Sequence, residues 1–238
     1  SIQWAKVLDN LNRSFTEKNN KIKSIMNFFA ATMFLTLFGA VVARVSSNYI
    51  IGNVTTWGTC ILLSIYCCGF AIMIARSHFT LRFYGITTDH WRHDIVQSFY
   101  WSVLFLITLV FLKYVSIHFF NLNIHVFDFP MKKFTYYFIV IISCSYALFT
   151  IIQEFIARGI IQGIIMQLAE TRYEKIRGIA LVTLIFAIGH IHLPNLLFAL
   201  CVIVPSIFWS MLYEVQGRRL IGVIFSHALI GICVLDII

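Results

Sequence analysis

Long unbroken runs of apolar residues constrain this chain of 238 residues more than any other feature. A transmembrane helix needs about 20 consecutive apolar residues, whereas the strands of a membrane β-barrel alternate apolar and polar ones. Hydrophobic residues make up 60% of the chain and charged residues 12%, against about 45–50% and about 25% in soluble domains. The composition therefore excludes an ordinary soluble globule, a disordered chain and a coiled coil. It predicts an all-α fold, a polytopic transmembrane helical bundle.

Seven hydrophobic segments stand out, and they predict seven to eight spans. They are residues 25–45, 57–75, 98–118, 134–155, 176–189, 196–212 and 220–237. Residues 159–168 are either an eighth short element or a continuation of the fourth segment. Pro205 is expected to kink the sixth segment, because proline removes one helical hydrogen bond.

The positive charges are distributed unevenly between the two sides of these spans. If the spans alternate, thirteen Lys and Arg residues fall on the side of the N-terminus, and the opposite side holds mainly Lys132 and Lys133. Basic loops stay in the cytoplasm, so the pattern predicts an integral membrane protein with a cytoplasmic N-terminus. The same asymmetry accounts for the net charge of +8, so we expect a lipid bilayer as partner and no nucleic acid.

The chain is predicted to form one membrane domain with an N-terminal extension. Residues 1–24 carry apolar residues at roughly helical spacing, which predicts an amphipathic cytoplasmic segment or the tail of an upstream soluble domain. Residues 25–238 are assigned to the transmembrane bundle, because no internal repeat or flexible linker divides them. The six cysteines all lie within apolar runs and are interpreted as small hydrophobic residues rather than disulfide or zinc partners.

Ionisable and strongly polar residues inside the apolar runs are costly in lipid, so they are the candidate functional positions. They form three groups in the last 90 residues, on different segments: Gln153, Glu154 and Arg158; Phe186, His190 and His192; and His227. Glu154 and Arg158 stand four residues apart, which favours an ion pair on one helix face. Asp236, near the chain end, is interpreted as an interfacial group.

This set of side chains fits more than one chemistry. A carboxylate and an imidazole on separate helices can activate a water directly or through a metal. A further imidazole or amide can stabilise an oxyanion. Together these groups would hydrolyse an amide or ester inside the membrane. A proton relay or ion pathway would use the same residue types. Glu154, His190 and His227 are also the side chains that could hold a divalent metal such as zinc, although nothing in the sequence identifies one.

The order Q-E-F-I-A-R-G, F-A-I-G-H and F-S-H-A-L-I-G resembles the CPBP family, which includes the CAAX prenyl endopeptidases and the bacteriocin-processing Abi proteins. The family pattern is E-E-x-x-x-R, then F-x-x-x-H, then H-x-x-x-N. The resemblance covers about residues 147–234, with a looser echo at residues 84–86. It implies an intramembrane endopeptidase that cleaves a membrane-embedded or prenylated peptide near the cytoplasmic face. The matching positions are Glu154, Arg158, Gly159, Phe186, His190 and His227.

The sequence departs from the family pattern at two positions. Gln153 stands where the family has its first glutamate, and Gly231 stands where it has the final asparagine. The resemblance implies that position 153 and His190 activate the water, while His227 and position 231 bind the oxyanion. A glutamine accepts no proton at neutral pH, and a glycine has no side-chain donor.

Three explanations of these departures stay open. The chain is a natural non-catalytic member, or Gln153 is an engineered change, or Glu154 acts as the base and His192 or a backbone amide replaces the lost donor. The last requires local unwinding, because adjacent helical residues point about 100° apart at about 3.6 residues per turn.

The sequence therefore predicts Glu154, His190 and His227 as the core of the site, with Gln153 in the base position. Arg158 is expected to orient Glu154 through a buried ion pair, with Phe186 and His192 supporting the site. The predicted partner is a membrane-associated peptide or protein substrate. The alternatives are a catalytically silent protein that binds or regulates another membrane protein, and a small transporter or ion pathway.

A second polar cluster follows the second apolar segment. It contains His78, Asp89, His90, His93 and Asp94. These side chains could ligate a metal, but their spacing matches no ligand pattern, and neighbouring Trp91 and Arg92 favour an interfacial loop.

Overall fold

A computed structural model of the chain describes residues 2–49, 68–69, 71–72, 74–75, 79–120, 136–169, 171–190 and 200–237. Every regular element in these ranges is helical, which confirms the predicted all-α fold class. The elements are α1 (Ile2–Tyr49), a 3-10 turn (Leu81–Tyr84), α2 (Trp91–Phe120), α3 (Tyr136–Glu154), a π-helical segment (Phe155–Gln162), α4 (Gly163–Leu168), α5 (Arg172–Gly189), α6 (Ile203–Val215) and α7 (Leu220–Ile237).

Three stretches of described helix are long and apolar enough to cross a membrane: Asn12–Gly39, Trp91–Phe120 and Ser143–Leu168. Two shorter apolar stretches are Ile203–Val215 and Leu220–Val234. The count of seven to eight spans stays a prediction. Residues 57–67 and 191–199, which carry parts of the second and sixth predicted segments, lie outside the described residues.

Helix α1 runs without interruption through the boundary predicted at residue 24, so the N-terminal segment and the first apolar segment form one helix of 48 residues. Its described side chains at residues 12–17 are exposed, whereas Ile25 and Phe28 are buried against the rest of the bundle. The division of the chain at residue 24 and the position of the N-terminal part at the cytoplasmic surface stay predictions.

Residues 159–168 continue the fourth segment, which was one of the two predicted alternatives. The α-helix ends at Glu154, turns into eight residues of π-helix and resumes as α-helix at Gly163. π-helical turns are rare in proteins overall, but those that occur are frequently found at functional sites. Here the change of helix type begins directly after the predicted site residue Glu154.

Glycine allows the π-helical segment to approach the 3-10 turn closely. A Cβ atom on Gly159 would lie 2.7 Å from the Tyr84 carbonyl oxygen, so only a glycine fits at this contact. Tyr84 is fully buried and its ring packs on Phe155 with centroids 5.8 Å apart. The loose family echo at residues 84–86 therefore lies against the helix that carries the candidate site.

Helix α6 begins at Ile203, after a turn at Val202, and Pro205 lies in its first turn. Proline is tolerated there because the first helical N–H groups have no helical acceptor. The helical path is thus interrupted at Val202, three residues before the proline. Helix α7 packs against α2, α3 and α6. The largest buried apolar cluster forms at this junction and includes Phe186, Trp209 and Val223.

Candidate functional site

Glu154 and His227 are in direct contact although 73 residues separate them in the chain. The Nδ1 atom of His227 lies 2.5 Å from Oε1 of Glu154. Glu154 is fully buried at the end of α3, and His227 is 4% exposed in the middle of α7. An ionised carboxylate only accepts hydrogen bonds, so Nδ1 carries the proton and donates it to Glu154. The Nε2 atom is then the basic nitrogen of a neutral His227.

Arg158 lies on the other side of the same carboxylate. Its Nε is 3.3 Å from Oε2 of Glu154, and its Nη2 donates to the carbonyl and hydroxyl oxygens of Ser206 at 2.8 and 2.9 Å. The guanidinium also lies over the Phe186 ring, 4.6 Å from its centroid. Both charges are fully buried. A buried ion pair of this kind limits the orientation of the carboxylate.

The pairing of Glu154 with Arg158 is incomplete. The Nε contact is close enough for attraction but is not aligned as a hydrogen bond, and the Nη1 contact to Oε1 is 3.5 Å long. Within the described ranges, Oε2 of Glu154 accepts no hydrogen bond. Buried polar atoms are nearly always hydrogen-bonded, and an exception calls for a functional explanation or an unplaced water.

Trp209 on α6 fixes the plane of the His227 ring. The two rings are stacked with centroids 3.8 Å apart and an angle of 23° between their planes. The indole Nε1 donates to the Ser226 hydroxyl at 3.2 Å, and that hydroxyl lies 2.7 Å from the hydroxyl of Ser102 on α2. The imidazole is therefore held at Nδ1 by a carboxylate and on its face by an anchored indole.

His190 and His227 both lie against the ring of Phe186. The centroid of Phe186 is 4.6 Å from that of His190 and 6.0 Å from that of His227. The Nδ1 atom of His190 is 2.7 Å from the Phe186 carbonyl oxygen. Because a carbonyl can only accept, Nδ1 of His190 carries its proton and Nε2 is an acceptor in the neutral ring. His190 caps the end of α5, so it is half-buried rather than embedded.

The remaining predicted positions are placed less centrally. Gln153 is half-buried, and its side chain makes no hydrogen bond to Glu154, His190 or His227. Gly231 lies one turn beyond His227 on α7, directly under Tyr146 of α3. His192 lies outside the described residues. The roles predicted for these positions stay predictions.

Glu154 lies near the middle of a long apolar helical stretch. In Ser143–Leu168 it stands eleven residues after the start and fourteen before the end. The π-helical continuation therefore brings Glu154 to the middle of its helix, level with His227.

An apolar cavity of about 780 Å³ lies on one side of these helices. Its lining includes Ile151 on α3 and Ile224 on α7, each one helical turn from Glu154 or His227. The other walls are Ala71, Ile74, Gly85, Ile86, Thr87, Thr88, Ile152, Phe155, Ile156, Leu220 and Ile221. A cavity of this size and lining suits an apolar group better than a polar one.

Side chains that could hold a metal are sparse around this site. In the parts of the chain that the structure describes, no three His, Cys, Asp or Glu side chains are grouped closely enough to bind one. Glu154 and His227 already use Oε1 and Nδ1 in their mutual contact. A metal held by Glu154, His190 and His227 stays a prediction.

Sequence reasoning missed a second buried ion pair, between Asp94 at the start of α2 and Arg219 before α7. Nε and Nη2 of Arg219 donate to the two carboxylate oxygens at 2.6 and 2.8 Å, and Asp94 is fully buried. The hydrogen bond to Asp94 raises the pKa of the Arg219 guanidinium above its ordinary value. Gln216 adds hydrogen bonds to the Asp94 carbonyl and the Ser98 hydroxyl. No local pattern could have revealed a pair separated by 125 residues.

Residues 135–233, less than half of the chain, match a family model described as Rce1-like, type II CAAX prenyl endopeptidase. No curated protein and no solved structure matches the chain. The matched range contains Glu154, Arg158, His190 and His227. Together with the apolar helices, the match indicates an integral membrane protein in a lipid bilayer.

Proposed function

Because the match at residues 135–233 supports membership of the CPBP family, we propose that the chain is an intramembrane endopeptidase that cleaves a prenylated or membrane-embedded peptide. The observation that carries this proposal is the contact between Glu154 and His227 inside the bundle, at 2.5 Å. A histidine whose tautomer is fixed and whose cationic form is stabilised by a carboxylate is a recurring general base in hydrolysis.

The charge balance of the buried cluster favours His227 as the base. Glu154 and Arg158 neutralise each other, so a resting imidazolium would leave a net positive charge in a low-dielectric bundle. His227 therefore rests neutral, with Nε2 ready to accept a proton. As the proton arrives, Glu154 stabilises the imidazolium at a distance of 2.5 Å, and Arg158 holds that carboxylate in place.

The reaction then follows from these groups. Nε2 of His227 takes a proton from a water while the water oxygen bonds to the scissile carbonyl carbon, which gives a tetrahedral oxyanion. His190, which lies against the same Phe186 ring as His227, is assigned to orient the water. The oxyanion collapses, the C–N bond breaks, and the proton passes from His227 to the leaving amine. Gln153 is not required as a base in this scheme.

The substrate class follows from the apolar cavity beside the site. Its walls at Ile151 and Ile224 are one turn from the reacting groups, so an isoprenoid bound there would hold an attached peptide near His227. Apolar burial contributes about 0.8 kcal/mol per CH₂ group, so a prenyl chain supplies most of the binding energy of such a substrate. Contacts of the peptide carbonyl would align the scissile bond with His227 and add little binding energy.

The proposal is tested with purified protein in liposomes and a prenylated peptide whose cleavage releases a fluorophore. We expect turnover that falls about 10²–10⁴-fold in His227→Asn, the usual effect of losing a general base. His118→Asn, at an exposed histidine on α2, is the matched control and should retain turnover. An unprenylated peptide of the same sequence should show a raised KM. Equal turnover by His227→Asn and the original chain would contradict the assignment.

Gln153 and Gly231 favour a second candidate function, a silent family member that binds or regulates another membrane protein. The variant Gln153→Glu separates the two. If the original chain is inactive and Gln153→Glu cleaves the reporter, the chain is a disabled protease. If neither cleaves it, the silent function replaces the proposed one.

A further inference from the structure

The space beside Gly231 is already filled by a side chain from another helix. A Cβ atom built on Gly231 would overlap the hydroxyl and ring of Tyr146, which reaches across from α3. No side chain larger than hydrogen fits at position 231 while Tyr146 holds this position. Gly231, which stands where the family has asparagine, therefore leaves the space that the Tyr146 side chain fills.

Tyr146 also lies next to the groups assigned to the reaction. Its ring meets the His227 ring edge to face, with centroids 6.1 Å apart and planes at 76°. Position 231 is one turn from His227, and the hydroxyl of Tyr146 occupies the space in which a side chain from that position would begin. A phenolic hydroxyl carries one proton, which it can donate to a bound group.

The local structure of α3 holds Tyr146 at this place. The hydroxyl of Thr150, fully buried one turn further on, donates to the Tyr146 carbonyl oxygen at 2.7 Å. Such a bond to the carbonyl four residues earlier bends a helix slightly. The ring of Tyr146 has few rotamers on a helix, and the hydrogen bond from Thr150 fixes the backbone that carries it. The hydroxyl therefore keeps a defined position.

We propose that Tyr146 donates its phenolic hydrogen bond to the oxyanion of the tetrahedral intermediate, in place of the side chain that Gly231 lacks. This role rests on the proposed function. A phenol is neutral at rest, so it adds no charge to the buried Glu154, Arg158 and His227 cluster. It is a donor directed at a position where negative charge develops only during the reaction, and such donors favour the transition state over the substrate.

The chemical part of the proposal is tested by Tyr146→Phe, which removes the hydroxyl and keeps the ring over Gly231. We expect kcat for the prenylated reporter to fall about 10²–10³-fold with KM nearly unchanged, as for other oxyanion donors. Tyr100→Phe, at an exposed tyrosine on α2, is the control. The double variant Tyr146→Ala/Gly231→Asn should exceed Tyr146→Ala in kcat at least tenfold, because it moves the donor to α7.

The packing part is tested without any activity. Gly231→Ala should lower Tm by several degrees when Tyr146 is present, and by much less in a Tyr146→Ala background, because the overlapping ring is gone. Equal shifts in the two backgrounds would show that Tyr146 does not occupy this space.

The outcomes also separate this inference from the proposed function. Turnover that persists in Tyr146→Phe, or a double variant no better than Tyr146→Ala, overturns the donor role and leaves the endopeptidase in place. If neither the original chain nor Gln153→Glu cleaves the reporter, the proposed function fails and the donor role fails with it. The Tm comparison then still decides whether Tyr146 explains the glycine.

Discussion

Two buried carboxylate–guanidinium pairs lie in this bundle, and they are built differently. In the pair of Asp94 and Arg219, both carboxylate oxygens accept well-aligned hydrogen bonds, and Gln216 ties the backbone of Asp94 to its surroundings. In the pair of Glu154 and Arg158, one oxygen accepts a bond from His227 and the other accepts none within the described residues. The first pair is complete, whereas the second is shared with an imidazole.

The difference teaches which pair is available for chemistry. Both carboxylate oxygens of Asp94 already accept hydrogen bonds from Arg219, so a change in the protonation of either group would break two short hydrogen bonds. A carboxylate shared between a guanidinium and an imidazole stays paired with both groups when the imidazole gains a proton. We therefore interpret Asp94 and Arg219 as a structural clasp between α2 and α7, and Glu154 and His227 as the reacting pair.

The largest expected effect is on turnover, and it should occur at only one of the two pairs. Glu154→Gln removes the acceptor that fixes the His227 tautomer, and kcat should fall by about 10⁴-fold, as for the equivalent change in a serine-protease triad. Asp94→Asn should leave kcat per folded molecule within about twofold, since catalysis needs the clasp only for folding. The measurement is cleavage of the prenylated reporter, normalised to folded protein. A similar loss in both variants would end the distinction between the pairs.

The second effect is on stability, and the clasp should dominate it. Asp94→Ala leaves Arg219 without its partner. Breaking a fully buried pair costs about 3–5 kcal/mol of unfolding free energy, and because the Arg219 side chain is 21% exposed, we expect the lower end of that range. Asp89→Ala breaks the exposed pair with Arg82, whose atoms lie 3.2 Å apart, and should cost at most about 1 kcal/mol. Unfolding in mixed detergent micelles measures both. An Asp94→Ala loss no larger than that of Asp89→Ala would show that the clasp is not a stabilising contact.

The third effect concerns the packing that joins the two regions. Gly159 follows Arg158, and a Cβ added to it would meet both the Tyr84 carbonyl oxygen and Leu220, the residue after Arg219. Gly159→Ala should cost about 1–3 kcal/mol, because the Tyr84 carbonyl belongs to the backbone and cannot move aside. Gly189→Ala is the control, since its added Cβ meets no atom within 4 Å and alanine favours a helix. Equal stability of the two variants in the same unfolding measurement would mean that the π-helical segment is not tightly seated.

The sequence predicted the pair of Glu154 and Arg158 and missed the pair of Asp94 and Arg219 for a physical reason. Glu154 and Arg158 are four residues apart inside an apolar run, so helical periodicity alone brings them together. Asp94 and Arg219 meet only after α2 and α7 have packed, and in sequence each is one more charge flanking a span. The family resemblance was confirmed because its motifs are local, each contained within a few residues.

The π-helical segment and the position of Tyr146 over Gly231 could not be predicted from the sequence for the same reason. Periodicity predicts an apolar helix through residues 155–168 but does not distinguish 3.6 residues per turn from a wider local turn. The sequence raised local unwinding next to Glu154 only as a requirement of one hypothesis. Tyr146 attracts no notice as one of ten tyrosines until the structure places it over Gly231.

The smallest expected effect is the pH dependence of the clasp, which should be close to zero. The Arg219 pKa is raised by its hydrogen bond to Asp94, so its stabilising contribution is fully present below the unfolded pKa. It is lost only as the pH rises through the still higher folded value. From about pH 6 to about pH 9, the stability difference between the original chain and Asp94→Asn/Arg219→Met should therefore stay constant. Turnover should fall only when the pH is lowered further, because His227 must be neutral to accept a proton. Parallel changes of stability and turnover would mean that one set of charges governs both, and the two pairs would then be a single functional unit.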